Sequence, residues 1–380
     1  MDVAQRLNAF PEYVFSRLAK ITKAVEAKSD RKVLNLGVGS PDIPPSEKYI
    51  SKVSQYFKEP SMHLYPGYGG IPEFTEAIKF WHKTRFNTDL MSEMIFPVNG
   101  AKDAIVHLTM ALLDEGDQVL MPDPGYPGFT GAALLIGAKP VYYNLLPENN
   151  FKPNITELQG LLTTRTKCLW LNFPSNPTGQ VLTKAEIAEY VAFSKKNNIW
   201  LIYDNAYSEI TFGDFIAPSI LEIPGALDVA VEVHSFSKSF SFAGYRMGWV
   251  AGNTRVIDAL AKVKSQVDSG MALPLQKLGA YALTNVDKDW LASMRKSYSN
   301  RQSIIGDYLH KLGLNFALPK GSLYIWAKIP TDQKNSEKFS MKILNEKQIL
   351  LTPGTAFGKN GSDYIRASIC SNIDEIDKYF

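Results

Sequence analysis

One short segment of the chain combines an amine, several hydroxyl groups and a guanidinium. It is SFSKSFSFAGYRMGW at 235–249, where Ser235 and Ser237 precede Lys238 and Arg246 follows that lysine by eight residues. Hydroxyl groups and a guanidinium supply the donors that a phosphate dianion needs, and a lysine beside them can form an imine with an aldehyde. Because the same residue types are common in solvated basic loops, the segment needs support from the rest of the sequence.

That support comes from FPSNPTGQ at 173–180 and LIYDNAYSE at 201–209, each of which follows an apolar run. Asp204 closes such a run, where a carboxylate is costly unless it has a charged partner. A protonated pyridine nitrogen would be that partner, and Asn176 and Tyr207 could donate hydrogen bonds to the phenolic oxygen of the same ring. Taken singly, a proline turn and a core aromatic explain these residues equally well. Together they indicate a cofactor site.

Short apolar runs alternate with helical patterns from about residue 46, which predicts an α/β fold with a mainly parallel sheet between helices. The predicted strands are 117–122, 139–145, 167–173, 199–204 and 226–235, and a further strand-like IFPV precedes a helix predicted over 101–116. Ligands bind at the carboxyl ends of strands in such sheets. The three polar segments are therefore expected to meet at one edge.

The pattern changes near residue 280, where a long helical stretch is followed by the strand-like SLYIWAKI at 322–329, a helix around 336–347 and IRASI at 365–369. We predict a large domain over 46–280 and a smaller α+β domain over 281–380. The segment 1–45 is too short to fold alone and is expected to pack with the small domain or with a partner subunit.

The overall composition argues against several classes of protein. The net charge of +3 is spread along 380 residues, which disfavours nucleic acid as a partner. Two cysteines predict neither disulfides nor a thiolate metal site, and they fit a reducing interior. The histidines lack metal-like spacing, and no apolar run is long enough to span a bilayer. We expect a cytoplasmic protein that binds neither metal nor membrane.

The chain resembles the class I/II aminotransferases, which are fold-type I pyridoxal-phosphate enzymes. The resemblance covers nearly the whole length and rests on motifs in a fixed order: LGVGSPD (36–42), HLYPGYGGIPEFTEAI (63–78), NGAKDA (99–104), DPGYP (123–127), NPTG (176–179), YDNAYSE (203–209), SFSKSF with GYRMGW (235–249) and YIRASI (364–369). It implies a seven-stranded sheet, pyridoxal 5'-phosphate as cofactor and ping-pong transfer of an amino group between an L-amino acid and a 2-oxo acid. The DPGYP and GYGG motifs are most similar to the branch with LL-diaminopimelate, aspartate and alanine aminotransferases.

The resemblance also implies roles for individual residues around the cofactor. Lys238 matches the lysine that carries the cofactor as a Schiff base and shuttles the proton, and Asp204 matches the partner of the ring nitrogen. Asn176 and Tyr207 match the pair at the phenolic oxygen, and Tyr126 matches the aromatic that stacks on the ring. The matches to the phosphate ligands are Ser235, Ser237, Arg246 and the backbone N–H groups of Ala101 and Lys102.

The remaining implied roles concern the substrate and a second subunit. Arg366 matches the clamp for the substrate α-carboxylate, completed by Asn176 and the backbone at Gly39. Tyr65 matches a tyrosine that reaches the cofactor phosphate of the neighbouring subunit, so a homodimer is expected. In the N-terminal segment, Tyr13 and Phe15 could cover the substrate pocket, although we expect both to pack against the small domain.

Two questions stay open at the level of sequence. The same apparatus can also perform β-elimination of a sulfur amino acid, because the outcome depends on the steps after the shared carbanion has formed. A dicarboxylic substrate would need a second cation, and the candidates are Lys102, Lys264 and Lys320. The sequence therefore leaves the substrate side chain undetermined.

Overall fold

A computed structural model describes residues 2–10, 12–333, 335–374 and 376–380. Its helices are α1 Val14–Glu26, α2 Glu47–Tyr56, α3 Pro72–Phe86, α4 Ala101–Leu112, α5 Pro127–Leu135, α6 Ile155–Leu161, α7 Lys184–Asn197, α8 Ala226–Val229, α9 Phe236–Ser239, α10 Thr254–Val267, α11 Leu273–Thr284, α12 Lys288–Lys311 and α13 Ser336–Lys347. Its strands are β1 Leu34–Asn35, β2 Ile95–Val98, β3 Gln118–Asp123, β4 Lys139–Asn144, β5 Thr166–Asn172, β6 Trp200–Asp204, β7 Ala230–Ser235, β8 Gly248–Gly252, β9 Tyr324–Lys328, β10 Ile349–Leu350, β11 Thr352–Pro353 and β12 Tyr364–Ser368.

The central element is a seven-stranded sheet with the strand order β2-β8-β7-β6-β5-β3-β4. Strand β8 pairs antiparallel with both of its neighbours, and the other pairs in the sheet are parallel. This confirms the predicted α/β fold and its mainly parallel seven-stranded sheet. Strands β5, β6 and β7 are adjacent and parallel, so their carboxyl ends meet at one edge.

Helices cover both faces of this sheet, because successive side chains of its central strands point to opposite faces and are apolar on both. In β3, for example, Leu120 packs into the core under α2, α3, α7 and α11, whereas Val119 and Met121 pack into the core under α4, α5 and α10. A strand buried on both faces reads as a continuous apolar run, which is why the sequence identifies these strands. Among the described residues, no helix has the length and apolar character needed to cross a membrane.

A second, smaller sheet has the antiparallel order β11-β12-β9 and packs with α12 and α13 in a separate core. The N-terminal segment lies against this part of the chain: β1 pairs parallel with β10, and Leu18 of α1 packs with Leu344 of α13. The domain limits at residues 45 and 280 remain a prediction. The latter falls within α11, and the long helical pattern beyond it divides into α11 and α12.

Two predicted elements have different bounds in the structure. The helix predicted over 101–116 ends at Leu112, because Asp117 accepts a hydrogen bond from the Asp114 N–H and the intervening Gly116 has a φ of 80°. A side chain that bonds nearby backbone competes with helix in this way. The strand predicted from 226 begins only at Ala230, since 226–229 form the short helix α8.

Backbone hydrogen bonds join the end of β3 to the loop before β12. The Asp123 carboxylate is buried and accepts from the N–H groups of Lys359 (3.0 Å) and Asn360 (3.1 Å), and the Gly125 N–H donates to the Phe357 carbonyl at 2.7 Å. Gly358 has a φ of 139°, and a Cβ there would lie 2.0 Å from Asp123 Oδ1. Glycine is therefore required where the two sheets are joined.

Candidate active site

A cavity of about 360 Å³ opens where β5, β6 and β7 end. The last residues of these strands, Asn172, Asp204 and Ser235, all line it, as expected for ligand sites in parallel sheets. Of the residues singled out in the sequence, those lining the cavity are Tyr13, Phe15, Gly39, Ala101, Lys102, Tyr126, Asn176, Asp204, Tyr207, Ser235, Ser237, Lys238, Arg246 and Arg366. The structure thus brings together residues far apart in the chain.

Lys238 lies in the short helix α9 directly after β7, so the sheet edge fixes the position of its backbone. Its Nζ donates to the Gly39 carbonyl at 2.9 Å and lies 5.7 Å from the centroid of the Tyr207 ring. A Cβ at Gly39 would lie 2.1 Å from the hydroxyl of Tyr324, so only glycine allows Tyr324 to pack this closely against the backbone at position 39. The amine is therefore held in the cavity by a neutral acceptor.

Asp204 is 5% exposed, and the hydrogen bond described for its carboxylate is from the Ala206 N–H to Oδ1 at 3.2 Å. Burial raises the pKa of this carboxyl group to about 7, although the Ala206 N–H and the nearby His234 act in the opposite direction. None of the described residues forms an ion pair with it. A buried carboxylate in this condition is complementary to a cationic ligand group such as a pyridinium.

Tyr207 and Asn176 lie beside Asp204 in the same cavity. The hydroxyl groups of Tyr207 and Tyr324 are 3.0 Å apart, and burial raises the pKa of Tyr207 well above its usual value. The backbone of Asn176 is fixed by Asn172, because the Asn176 backbone N–H donates to Asn172 Oδ1 at 2.9 Å. Both side chains thus present fixed polar atoms to a ligand.

At another wall of the cavity, where α4 begins, several donor groups suited to an anion lie close together. Gly100 precedes this helix with a φ of 91°, and a Cβ there would lie 2.6 Å from Arg246 Nη2. Arg246 itself has a φ of 56° and donates to Ser237 Oγ and to the Asn99 carbonyl, both at 3.5 Å. The first N–H groups of a helix lack partners within that helix and favour an anion, as does a neighbouring guanidinium.

Arg366 is 1% exposed and lies in β12 of the small sheet. Its Nη1 donates to Asn176 Oδ1 at 2.8 Å and its Nη2 to the Gly37 carbonyl at 2.7 Å, while its buried Nε has no hydrogen-bond partner among the described residues. Aromatic rings surround the guanidinium at 4.0–5.3 Å from their centroids: Tyr324, Phe357 and Phe15. A buried guanidinium without a carboxylate is suited to bind one from a ligand.

The N-terminal segment forms one wall of the cavity, to which Tyr13 and Phe15 both contribute. Both alternatives given for Phe15 are seen, because its ring packs on Phe357 and the residue also lines the cavity. Tyr13 hydrogen-bonds Tyr126, whose pKa is raised by burial, and the ring of Tyr13 lies 4.9 Å from Lys102 Nζ. These contacts result from the tertiary arrangement.

The three candidates for a second cation separate clearly. Lys102 lines the cavity. The proposal of Lys264 was wrong, since this lysine is 2% exposed and forms ion pairs with Asp103 and Asp268 outside the cavity lining. Lys320 is exposed and also lies outside the lining.

Sequence reasoning missed two groups at the site. Tyr324 contacts both Tyr207 and Arg366, and the Gly37 carbonyl accepts from Arg366. A tyrosine within an ordinary strand pattern gives no local signal of either contact. The motif LGVGSPD did include Gly37, but its carbonyl was not identified as an acceptor.

His82 is distant in sequence from Glu232 and His234, but the three form a buried cluster whose ligand-type atoms lie within 4.8 Å of one another. Sequence spacing did not predict this cluster. His82 Nε2 accepts from Trp249 Nε1, and burial lowers the pKa of His82 to about 3. Glu232 already accepts from Asn205 and from Ser219. This is a polar network within the core between α3 and β7.

Tyr65 lies outside the cavity lining of this chain and is 87% exposed. Its neighbours Leu64 and Tyr68 are 68% and 60% exposed, so this loop presents an apolar patch. The role implied for Tyr65 at a neighbouring subunit remains a prediction.

The cavity fits pyridoxal 5'-phosphate in its chemistry. It offers an amine for an aldehyde, a buried carboxylate that forms no ion pair with the described residues for a ring nitrogen, and a helix N-terminus beside serine and arginine side chains for a phosphate. Lys238 supplies the amine, Asp204 the carboxylate and Arg246 the guanidinium, and all three line the cavity. The Nε of Arg366, which has no hydrogen-bond partner in the described part of the chain, is suited to bind a carboxylate of a ligand.

Comparisons with known proteins agree with this chemistry. The model of the family "Aminotransferase class I and II" matches residues 31–379. An LL-diaminopimelate aminotransferase of Natranaerobius thermophilus is 35% identical over 377 residues, covering 99% of this chain and 97% of that relative. Among solved structures, substrate-bound BacF from Bacillus subtilis has a TM-score of 0.94 at 32% identity, covering 100% of this chain and 96% of that one.

An aspartate aminotransferase of Thermotoga maritima is similar in structure as well, with a TM-score of 0.91 at 29% identity over 99% of this chain and 97% of that one. The match to the family model extends over most of the chain, and the relatives are similar over nearly their full lengths. The chain therefore belongs to the class I and II aminotransferases, and it is a pyridoxal-phosphate-dependent enzyme that transfers an amino group between an amino acid and a 2-oxo acid.

Proposed function

We propose that the cavity at the ends of β5, β6 and β7 is the site of amino transfer, with Lys238 as its acid–base residue. The observation that carries this proposal is that one cavity is lined by the Lys238 amine, the buried Asp204 carboxylate and the Arg366 guanidinium. Pyridoxal phosphate, when bound, supplies an aldehyde that links to amines and a ring that accepts electrons. Lys238 Nζ takes the proton from the substrate α-carbon and returns it to the product.

Asp204 and its neighbours hold the cofactor ring in this proposal. Asp204 keeps the ring nitrogen protonated, Asn176 and Tyr207 donate to the phenolic oxygen, and Tyr126 packs on the ring face. Support comes from the burial of Asp204 and Tyr207, since weakly solvated donors and charges act strongly on a ligand. The contact between the hydroxyl groups of Tyr207 and Tyr324 keeps the Tyr207 ring oriented.

The phosphate is bound at the start of α4. Its donors are the backbone N–H groups of Ala101 and Lys102, the hydroxyls of Ser235 and Ser237, and the guanidinium of Arg246. The glycine at position 100 supports this role, because it allows the helix N-terminus and Arg246 to approach each other closely.

The substrate is bound through its two ends. Arg366 binds the α-carboxylate, with Asn176 and the backbone at Gly39 completing the contact. Lys102 is the cavity-lining cation that has no role in binding the ring or, by its side chain, the phosphate. We therefore assign it to the distal carboxylate of a dicarboxylic or diaminodicarboxylic substrate, a class that includes the substrate named for the LL-diaminopimelate relative.

Two variants separate these ends. Arg366→Lys is expected to lower kcat/KM for every amino acid, with a loss of transition-state stabilisation of about 2 kcal/mol. The reason is that an ammonium cannot form two parallel bonds to a carboxylate. Lys102→Met is expected to lower it only for substrates with a distal carboxylate. The measurement is kcat/KM with 2-oxoglutarate and with pyruvate as acceptor for wild type and both variants.

The exposed Lys320 supplies the control, and Lys320→Met should match wild type with both acceptors. An equal loss for both acceptors in Lys102→Met would refute its assignment to the distal group. A wild-type response of Arg366→Lys would place the α-carboxylate elsewhere.

The working unit is a homodimer in which Tyr65 of one subunit reaches the cofactor phosphate of the other. The exposed patch of Leu64, Tyr65 and Tyr68 supports this, since such patches are typical of protein interfaces. The expected mass in solution is twice 42.4 kDa by light scattering.

Coexpression of two inactive subunits tests the shared site. A heterodimer of Tyr65→Ala and Lys238→Ala chains contains one intact site, since each chain supplies what the other lacks. Coexpressed chains should therefore regain activity that neither variant has alone. No recovery from a verified heterodimer would show that Tyr65 does not act across the interface.

Transamination is favoured over β-elimination, because the matching family model and the relatives from Natranaerobius thermophilus and Thermotoga maritima are named as aminotransferases. The elimination alternative predicts different products from the same amino acids, namely ammonia and pyruvate.

A further inference from the structure

A buried lysine lies next to the proposed phosphate site without lining the cavity. Lys264 is in the last turn of α10 and is 2% exposed. Its Nζ contacts Asp103 Oδ2 at 2.8 Å and also pairs with Asp268. A buried ammonium is costly unless it is paired, so these two carboxylates account for its presence there.

Both carboxylates also accept hydrogen bonds from Asn99, the residue before Gly100. Asp103 accepts from the Asn99 N–H at 2.9 Å, and Asp268 accepts from the Asn99 side-chain amide at 3.1 Å. The Asn99 carbonyl in turn accepts from Arg246 at 3.5 Å. Lys264 is therefore connected, through one carboxylate and one asparagine, to the backbone that begins α4.

The charges in this network bear on a bound anion. Asp103 lies in the first turn of α4, whose N-terminus we assign to the cofactor phosphate, and Asp268 is hydrogen-bonded to the adjacent turn. Burial opposes ionisation of Asp103, but the contact of its Oδ1 with His107 Nδ1 at 3.1 Å and the hydrogen bond from Lys264 outweigh burial and lower the pKa of this carboxyl group. Two ionised carboxylates close to a phosphate dianion would repel it strongly without a cation between them.

We propose that Lys264 is a positioning residue that offsets the negative charge of Asp103 and Asp268 and thereby permits tight binding of the cofactor phosphate. The proposal rests on the assignment of the phosphate to the start of α4. In the wild type, the ammonium and two carboxylates carry a net charge of −1. Removal of the lysine leaves −2 in the same volume.

The test compares dissociation constants for pyridoxal phosphate and for pyridoxal, which lacks the phosphate, measured by absorbance titration of each reconstituted protein. Lys264→Met is expected to weaken pyridoxal phosphate binding by about tenfold or more while changing pyridoxal binding less than about twofold. Lys262→Met removes an exposed lysine from the same helix and should change neither.

Two further variants change the charge with asparagine at position 268. Its one amide oxygen can accept either from Asn99 or from the Gly270 N–H, whereas Asp268 accepts from both through its two oxygens. The double variant Lys264→Met/Asp268→Asn returns the network to −1 and should recover most of the lost affinity. Asp268→Asn alone brings it to zero and should bind pyridoxal phosphate several-fold more tightly than wild type. The last variant keeps Lys264 paired with Asp103, so it provides the test even if Lys264→Met does not fold.

The ratio of the two dissociation constants should vary with the net charge across the series. A ratio that does not change with charge, or an equal loss for pyridoxal, would overturn the role of Lys264. Such a result would leave the proposed function intact as long as the wild type binds pyridoxal phosphate more tightly than pyridoxal. Equal binding of both ligands by the wild type would instead contradict the phosphate site itself.

Discussion

Replacement of Lys238 by alanine is expected to lower turnover by roughly 10³-fold or more, because it removes both the covalent attachment of the cofactor and the proton carrier. The side chain is partly buried, and its described hydrogen bond is to the Gly39 carbonyl, so its loss should not unfold the protein. The variant should still retain pyridoxal phosphate through Asp204 and the phosphate donors. Single-turnover kinetics with a saturating amino acid will measure the loss.

Lys320→Ala, an exposed position outside the cavity, is the matched control for this variant. The visible spectrum gives an independent readout, since the absorbance of the lysine-linked cofactor should be absent from Lys238→Ala alone. Turnover at the wild-type rate in the alanine variant would refute the assignment of Lys238.

Replacement of Asp204 by asparagine is expected to lower kcat/KM for every amino acid. The expected loss of transition-state stabilisation is about 3–5 kcal/mol, which is the cost of breaking a buried charge pair. The loss should be uniform, since this carboxylate acts on the ring nitrogen and not on the substrate. Initial rates with a panel of amino donors provide the measurement. A loss confined to one donor would identify Asp204 as a specificity residue instead.

The same variant should have the opposite effect on the cofactor-free protein. Burial raises the pKa of Asp204 from 3.8 to about 7, so the folded state holds a proton that the unfolded state releases between these values. Stability from this group therefore falls as pH rises from about 4 to about 7 and is constant above that range. Asp204→Asn should be more stable than wild type at pH 8, by up to about 4 kcal/mol, with no advantage below pH 4.

Thermal unfolding of both proteins at pH 8 and at low pH, with and without pyridoxal phosphate, will check this. The cofactor should reverse the order of stability at pH 8, because only the aspartate pairs with the ring nitrogen. A cofactor-free variant that is less stable than wild type at pH 8 would contradict the account of this carboxyl group.

Sequence patterns predict the large sheet well because its strands are buried on both faces. A run such as KCLWLNF fits few structures other than a central strand, and it corresponds to β5 within one residue at each end. The meeting of Asn172, Asp204 and Ser235 is then a consequence of parallel pairing alone. The sequence does not predict the end of the helix at Leu112, because there a hydrogen bond from the Asp114 N–H to the Asp117 carboxylate outweighs helix propensity.

Contacts across distant parts of the chain were less accessible. The stacking of Tyr324 on Arg366 depends on the pairing of β9 with β12, in which Tyr324 faces Ser368 and Trp326 faces Arg366. The sequence left Lys264 as a candidate substrate contact because a lysine carries no signal of its partners there. Its neutralisation by Asp103 requires α10 to pack beside α4, which only the tertiary structure reveals.

Amino transfer at Lys238 is tested most directly by the visible absorbance of the purified protein during addition of single amino acids without any 2-oxo acid. Amino transfer at the Lys238 site predicts that one or a few amino acids bleach the colour of the lysine-linked cofactor. Addition of 2-oxoglutarate or pyruvate should then restore it. A colour that persists through every addition while ammonia and pyruvate accumulate would contradict amino transfer and indicate β-elimination.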